Sequence, residues 1–139
     1  MKKFFFFSAL VLCTTALFAT DIEATIEITN VQPKTGTLFV AVFDSQEALK
    51  KNNPITGLKL ETNGNTITAL VTLPAGEYYV SAYQDLNNNG KLDTNFIGIP
   101  KEPVGIANYS GSGIPGGFDK HKVLINAENP KVTLGMNKI

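Results

Sequence analysis

Five residues within a nine-residue run have the types and spacing to hold a hard cation. In Asp85-Leu86-Asn87-Asn88-Asn89-Gly90-Lys91-Leu92-Asp93, oxygen-bearing side chains recur at alternate positions and a glycine stands sixth. That matches the first half of the calcium-loop pattern D-x-[DN]-x-[DN]-G. Calcium takes roughly six to eight oxygen ligands at about 2.3–2.6 Å, and a tight loop can aim alternate side chains inward. In this register Asp85, Asn87, Asn89 and Asp93 offer side-chain oxygens, Lys91 offers its backbone carbonyl, and Leu92 packs into the core. The second half of the pattern fails, because the twelfth position, which should carry a bidentate Glu, is Phe96. With two carboxylates and two neutral amides, calcium would bind weakly, with Kd of about 10⁻⁴–10⁻³ M, and Asn95, Glu102 or water would complete the shell. The same residues equally suit an ion-free turn, since Asn and Gly tolerate left-handed backbone and Asn bonds its own main chain. Both readings stay open at this stage.

Other groups carry less chemistry. His121 is the lone histidine and sits between Lys120 and Lys122, which reads as a surface position. One histidine and no cysteine beyond Cys13 cannot make a zinc site from the usual nitrogen and sulfur ligands. Ser112 lies in Gly111-Ser112-Gly113, without the G-x-S-x-G elbow of a hydrolase nucleophile. The glycine cluster from Ser110 to Gly117 lacks the Gly-Lys-Ser/Thr ending of a phosphate loop. Asp93, Glu102 and Asp119 are acids in a Gly-rich region, and glycosidase chemistry would need two of them across a sugar cleft. Tyr78, Tyr79, Tyr83 and Tyr109 suit either a sugar-stacking face or cross-strand packing. Asn108-Tyr109-Ser110 fits a glycosylation sequon.

The elements that must position these groups are strands. Ile22, Ala24, Ile26 and Ile28 alternate with Glu23, Thr25, Glu27 and Thr29, the period of a half-buried strand. Pro33 to Gly36 predicts a turn, and Thr37 to Phe43 predicts a strand buried on both faces or near the sandwich centre. Ser45 caps one or two helical turns to Lys51, and Asn52 to Gly57 predicts a loop. Ile67, Ala69, Val71 and Leu73 share a face of the next strand, and Tyr78, Val80 and Ala82 share a face of another. Asp85 to Pro115 is a long Asn-, Gly- and Pro-rich connection of a kind that is often functional. Short extended pieces are expected at Ile97–Ile99 and Val104–Ile106, with closing strands near Val123–Ile125 and Val132–Met136. About seven short strands with little helix predict a single all-β, antiparallel sandwich. Glu23 and Glu27 charge the first strand against edge-to-edge pairing.

Residues 1–19 read differently. Lys2 and Lys3 precede an apolar run from Phe4 to Leu12, and Ala19 stands before Thr20. That is the layout of a cleaved secretory signal, too short for the roughly 20 residues of a spanning helix. The expected division is therefore a signal at 1–19 and a domain at 20–139, with Cys13 removed and no disulfide. Bulky Leu12 before Cys13 argues against lipoprotein processing. Without Lys2 and Lys3, ten lysines face twelve carboxylates, a net charge of −2, and arginine is absent. No basic cluster marks a nucleic-acid partner.

Three linked runs resemble a known family. Leu73-Pro74-Ala75-Gly76-Glu77-Tyr78-Tyr79-Val80, then Asp85 to Asp93, then Gly98-Ile99-Pro100-Lys101-Glu102-Pro103-Val104-Gly105 are similar to the secreted bacterial proteins called domain of unknown function 2141. The resemblance spans about Ile22 to Met136. It implies a signal peptide and an Ig-like or transthyretin-like sandwich, and no known activity. The chain departs from the family at Gln84, where the pattern has a histidine before the aspartate, so no imidazole is available there for a metal. A strand ending in Asp also resembles secreted collagen-adhesin B modules with similar calcium loops. Together these observations predict an exported, periplasmic or extracellular, non-catalytic sandwich. Its expected cofactor is calcium or none, and its partner an unidentified protein or glycan of the cell envelope, with no nucleic acid and no membrane span in the mature chain. Two alternatives are a small envelope-glycan hydrolase using the acidic loop residues and an assembly subunit pairing through an edge strand.

Overall fold

In the computed structural model residues 20–139 are described; the expected signal at 1–19 and Cys13 lie outside the described residues. Alternation builds the first layer. Strand β1 (Asp21–Thr29) turns Ala24, Ile26 and Ile28 fully inward. It pairs antiparallel with β4 (Ile67–Pro74), Ile22 opposite Leu73 and Ile28 opposite Ile67. On its other side it pairs with β8 (Lys131–Gly135), Ile26 opposite Val132, and this pair is parallel. The expected antiparallel sandwich thus carries one parallel pair at an edge, because local patterning does not encode strand direction. It also follows that β1 is a central strand. Glu23 and Glu27 guard no free edge, and Glu27 instead pairs with Lys131 at 2.9 Å.

The second layer is a larger sheet in the order β3-β2-β5-β6, with β7 (Val123–Ile125) pairing β5 beside β6 (Val104–Ile106). Strand β5 (Gly76–Asp85) is its spine, with β2 (Thr37–Phe43) antiparallel along seven residue pairs. Strand β3 (Thr56–Glu61) pairs with β2; its first two residues fall in the expected Asn52–Gly57 loop, and the sequence pattern assigns no element to the rest. Leu58 and Leu60 alternate inward there, a signal masked by Pro54 and Gly57. The core lies between the layers: Ile26, Ile28, Val71 and Leu73 of one meet Leu38, Val42 and Val80 of the other. Eight strands in two packed sheets make an all-β sandwich. No helix among the described residues is long and apolar enough to cross a membrane.

Strand β2 is buried along its core face and, on the other face, only at Phe43. Leu38, Val40 and Val42 point into the core, whereas Phe39 and Ala41 are half-buried on the outer face. Part of that outer face is covered by two short helices, α1 (Gln46–Lys50), capped by Ser45, and α2 (Phe118–His121). They pack Phe118, Ala48 and Leu49 onto Phe43, Tyr79 and Ile106. The rest of the outer face is left to the long connection after β5.

Two consecutive residues lock the end of β5. Gln84 is fully buried: its Nε2 donates to the Gln32 and Thr35 carbonyls at 2.8 and 2.7 Å, and its Oε1 accepts from the Gln32 N–H at 3.0 Å. The position that would hold an imidazole in the family pattern is therefore a backbone clamp on the Pro33–Gly36 turn. Gly36 adopts φ +62° there, and a Cβ on it would sit 2.0 Å from the Asp85 carbonyl oxygen, so no larger residue fits. Gln84→Leu preserves volume but removes both backbone partners of Gln32. It is expected to lower stability by about 2 kcal/mol, measured as the urea midpoint at constant m-value.

Candidate functional site

Asp85 closes β5 and is 1 % exposed. Its carboxylate accepts the Asn89 N–H at 3.2 Å and the Gly90 N–H at 2.7 Å. The chain can curl back to make both bonds because Asn88 and Gly90 are left-handed, at φ +56° and +80°, conformations that Asn and Gly tolerate best. Asn88 Oδ1 also accepts the Thr37 hydroxyl at 2.8 Å, tying the turn to the start of β2. Asn87 Oδ1 accepts from the Asn89 N–H at 3.1 Å and Asn89 Oδ1 from the Lys91 N–H at 3.0 Å. These are bonds of each Asn to its own main chain two residues on.

Four of the expected ligands therefore act on one turn, and three of their side chains meet. Asn87 Nδ2 donates to Asp93 at 2.6 Å, and Asn89 Nδ2 donates to both Asp93 oxygens at 3.0 and 2.8 Å. These two amides hold the Asp93 carboxyl below its usual pKa of 3.8, with Lys91 and Lys101 adding smaller effects. Lys91 joins through its N–H to Asn89. Among the described residues no three His, Cys, Asp or Glu side chains gather as a ligand set. A cation here would have only Asp85 and Asp93 as carboxylates. The Asn87 and Asn89 Oδ1 atoms each retain a second lone pair beside the one given to an N–H, so the donor set suits weak calcium binding and not a transition metal.

Glu102 plays a part that the sequence reading missed. It is 4 % exposed, and its two oxygens accept the Leu86 N–H at 2.8 Å and the Asp93 N–H at 3.0 Å. It clamps both ends of the turn as an acceptor. Asn95 is likewise committed, its Oδ1 accepting the Ile97 and Ile99 N–H groups at 3.0 and 2.9 Å. Ile97–Ile99 is therefore the tip of a tight excursion closed by the Thr94–Pro100 bridge, with Gly98 at φ +85°, and not the extended piece expected.

This excursion forms one wall of a cleft of about 880 Å³ on the outer face of the larger sheet. Phe39, Ala41, Ser81 and Tyr83 form the floor. Ile97, Ile99 and Pro100 stand on one side, and Ile114, Pro115 and Pro54 on others. Phe39 and Tyr83 stack with centroids 5.0 Å apart and planes 11° apart. Burial, and then the charges of Asp85 and Glu102, raise the Tyr83 pKa above 10.0, so its hydroxyl stays a donor at neutral pH. Lys59 Nζ lies 5.8 Å from the Phe39 centroid. Alternation along β2 and β5 could have marked the floor residues as outward, but the nearly all-apolar run of β2 obscured it.

The remaining candidates sit elsewhere. His121 is 3 % exposed, which corrects its expected surface position. Its Nε2 accepts the Gly116 N–H at 3.0 Å, so Nδ1 is the nitrogen that donates to the Asn108 carbonyl at 2.8 Å. Tyr109 and Tyr79 pack edge-on against the ring. Tyr78 is buried in the core, its hydroxyl donating to the Pro74 carbonyl at 2.6 Å. Asp119 lies beside Lys122, which also pairs with Glu77. That is the opposite end of β5 from Asp85, about 26 Å along an extended strand. Asp93 is joined to Glu102 through its backbone N–H, and Asp119 does not join them.

A sequence model described as "Uncharacterized protein conserved in bacteria (DUF2141)" matches residues 26–133, from mid-β1 into β8. The chain belongs to the DUF2141 family. No curated protein and no solved structure matches it. The matched region of this DUF2141 domain contains the whole Asp85–Asp93 turn, Glu102 and nearly all of the cleft.

Two outcomes follow from the turn. Glu102→Gln puts an amide N–H₂ against one of two backbone N–H groups, and should cost about 1–2 kcal/mol, with faster hydrogen exchange at Leu86 and Asp93. The folded-state pKa of Asp93 is lowered from 3.8. Its stabilising contribution is thus fully present above pH 3.8 and is lost as pH falls through the lower folded value. Melts of the wild type and Asp93→Asn between about pH 5 and pH 2 should show a shallower acid loss in the variant.

Proposed function

We propose that this DUF2141 domain is an exported, non-catalytic binding module, periplasmic or extracellular, that takes an apolar ligand in the cleft on its larger sheet. The cleft itself carries the reading. Its volume of about 880 Å³ lies within the range of small-molecule sites, roughly 300–1,000 Å³, and its lining is mostly apolar with a few polar groups. The polar groups at hand are Asn52, Lys59, Ser81 and Tyr83, too few to satisfy the hydroxyls of a glycan. Asp93 and Glu102 accept bonds from neighbouring loop amides.

The Asp85–Asp93 turn serves this reading as the support of the cleft wall, since the same chain runs from Asp93 directly into Ile97, Ile99 and Pro100. Calcium bound at Asp85, Asn87, Asn89, Asp93 and the Lys91 carbonyl would stiffen that support.

Two measurements on the purified protein test the proposal. The neutral fluorophore N-phenyl-1-naphthylamine should bind at one site and be excluded by Ser81→Leu, which fills the floor; absence of binding to the wild type would overturn the cleft reading. Melts in millimolar calcium and in EDTA test the ion. Binding to the folded state alone adds about 1.4 kcal/mol at tenfold above Kd. Asp93→Ala should abolish the shift, and it is a better control than Asp85→Ala, which would strip the Asn89 and Gly90 N–H groups of their acceptor. Identical wild-type melts would leave the turn ion-free.

A further inference from the structure

The strand register gives the cleft a shape and a polarity. Phe39 stands opposite Lys59 on β3 and opposite Tyr83 on β5, and Tyr83 opposite Val104 on β6. The neighbouring outward row reads Gly57, Ala41, Ser81, Ile106. One row is therefore tall, with two stacked rings, and the next is low across three strands. The low row leaves a trough beside the ring stack, ending at the β3 edge near Lys59. Three inter-strand spacings give it a length of about 14 Å.

Its chemistry narrows the occupant. The two middle floor strands, β2 and β5, are paired on both sides, so an extended peptide, which binds sheets through backbone bonds, could add only outside β3 and not lie across the trough. A ligand lying along the trough must need almost no hydrogen bonds over its length. Lys59 is the only charged side chain in the lining. Among the described residues its ammonium forms no salt bridge, and its position over Phe39 keeps it against the ring stack at one end of the trough. The apolar surface also continues outward, since Phe96 and Ile114 beside the mouth are 99 % and 89 % exposed.

The geometry points to a single-chain anionic amphiphile, of the fatty-acid class, with its alkyl chain along the Gly57–Ala41–Ser81–Ile106 trough and its carboxylate on Lys59. This assignment rests on the apolar-cleft reading above and adds the ligand's class and direction. A carboxylate headgroup distinguishes it from neutral and cationic chains of the same length, and Lys59 is the residue that makes the distinction.

The test is displacement of N-phenyl-1-naphthylamine from the full protein by decanoate and by decyltrimethylammonium. Decanoate should displace the fluorophore at about fivefold lower concentration, the scale of one exposed charge pair. Lys59→Glu should reverse that order, each displacement being scaled to the fluorophore affinity measured for the variant itself. If the fluorophore binds but the two chains compete equally, or Lys59→Glu leaves their order unchanged, the anionic assignment is wrong and the cleft reading survives. If the fluorophore does not bind at all, both fall.

Discussion

The structure depends on what happens at the end of β5, where two adjacent polar side chains are buried on opposite faces. Gln84 points toward the core side and must satisfy its amide there, so it takes three bonds from the turn before β2. Asp85 points the other way, and its carboxylate is kept from water by the turn that wraps it. An unsatisfied buried amide costs one or more kcal/mol and a carboxylate more. The chain on both sides of the strand end is therefore obliged to curl inward. No buried side-chain nitrogen or oxygen among the described residues lacks a partner. Gly36, pressed against the Asp85 carbonyl, completes the joint by admitting no Cβ.

From that joint the order spreads by backbone N–H groups. Asp85, Glu102 and Asn95 each accept two of them, at positions 89 and 90, 86 and 93, and 97 and 99. The connection after β5 is long, yet its first seventeen residues are held at six main-chain points by three side chains. Among the described residues neither buried carboxylate forms a salt bridge, and backbone amides meet their charge. That charge is felt as far as Tyr83 at the cleft floor.

The legibility of this arrangement in the sequence follows how local each interaction is. The Asn87–Lys91 turn could be read directly, because an Asn side chain bonding two residues ahead is written in adjacent letters. Glu102 could be named as a neighbour of the turn but not as its clamp, since its partners lie 16 and 9 residues away. The alternation of Ile22 to Ile28 fixed the inward face of β1 but not its place between β4 and parallel β8. Strand β3 was hidden because Pro54 and Gly57 punctuate the segment, although Gly57 is a working part of the sheet opposite Ala41. His121 looked exposed beside two lysines, yet a short helix turns it inward to bridge the Asn108 carbonyl and the Gly116 N–H. The cleft was the least legible feature, because a row of small residues on three strands exists only once the register of all three is set.

An open apolar cleft needs a reason not to collapse, and the hydrogen bonds supply it. Left to itself, a loop carrying Phe96, Ile97 and Ile99 would fold those side chains onto the nearest apolar surface, here the floor made by Ala41 and Ser81. Doing so would require the Thr94–Pro100 excursion to tilt. That would break the bonds at its base, from the Asp93 N–H to Glu102 and from the Lys101 N–H to the Asp93 carbonyl. Each break exposes a group whose replacement partner must come from water in a partly apolar site. The wall therefore stands away from the floor, and its apolar side chains remain available. A site held open in this way loses little conformational freedom on binding, so more of the burial energy of an apolar ligand appears as affinity.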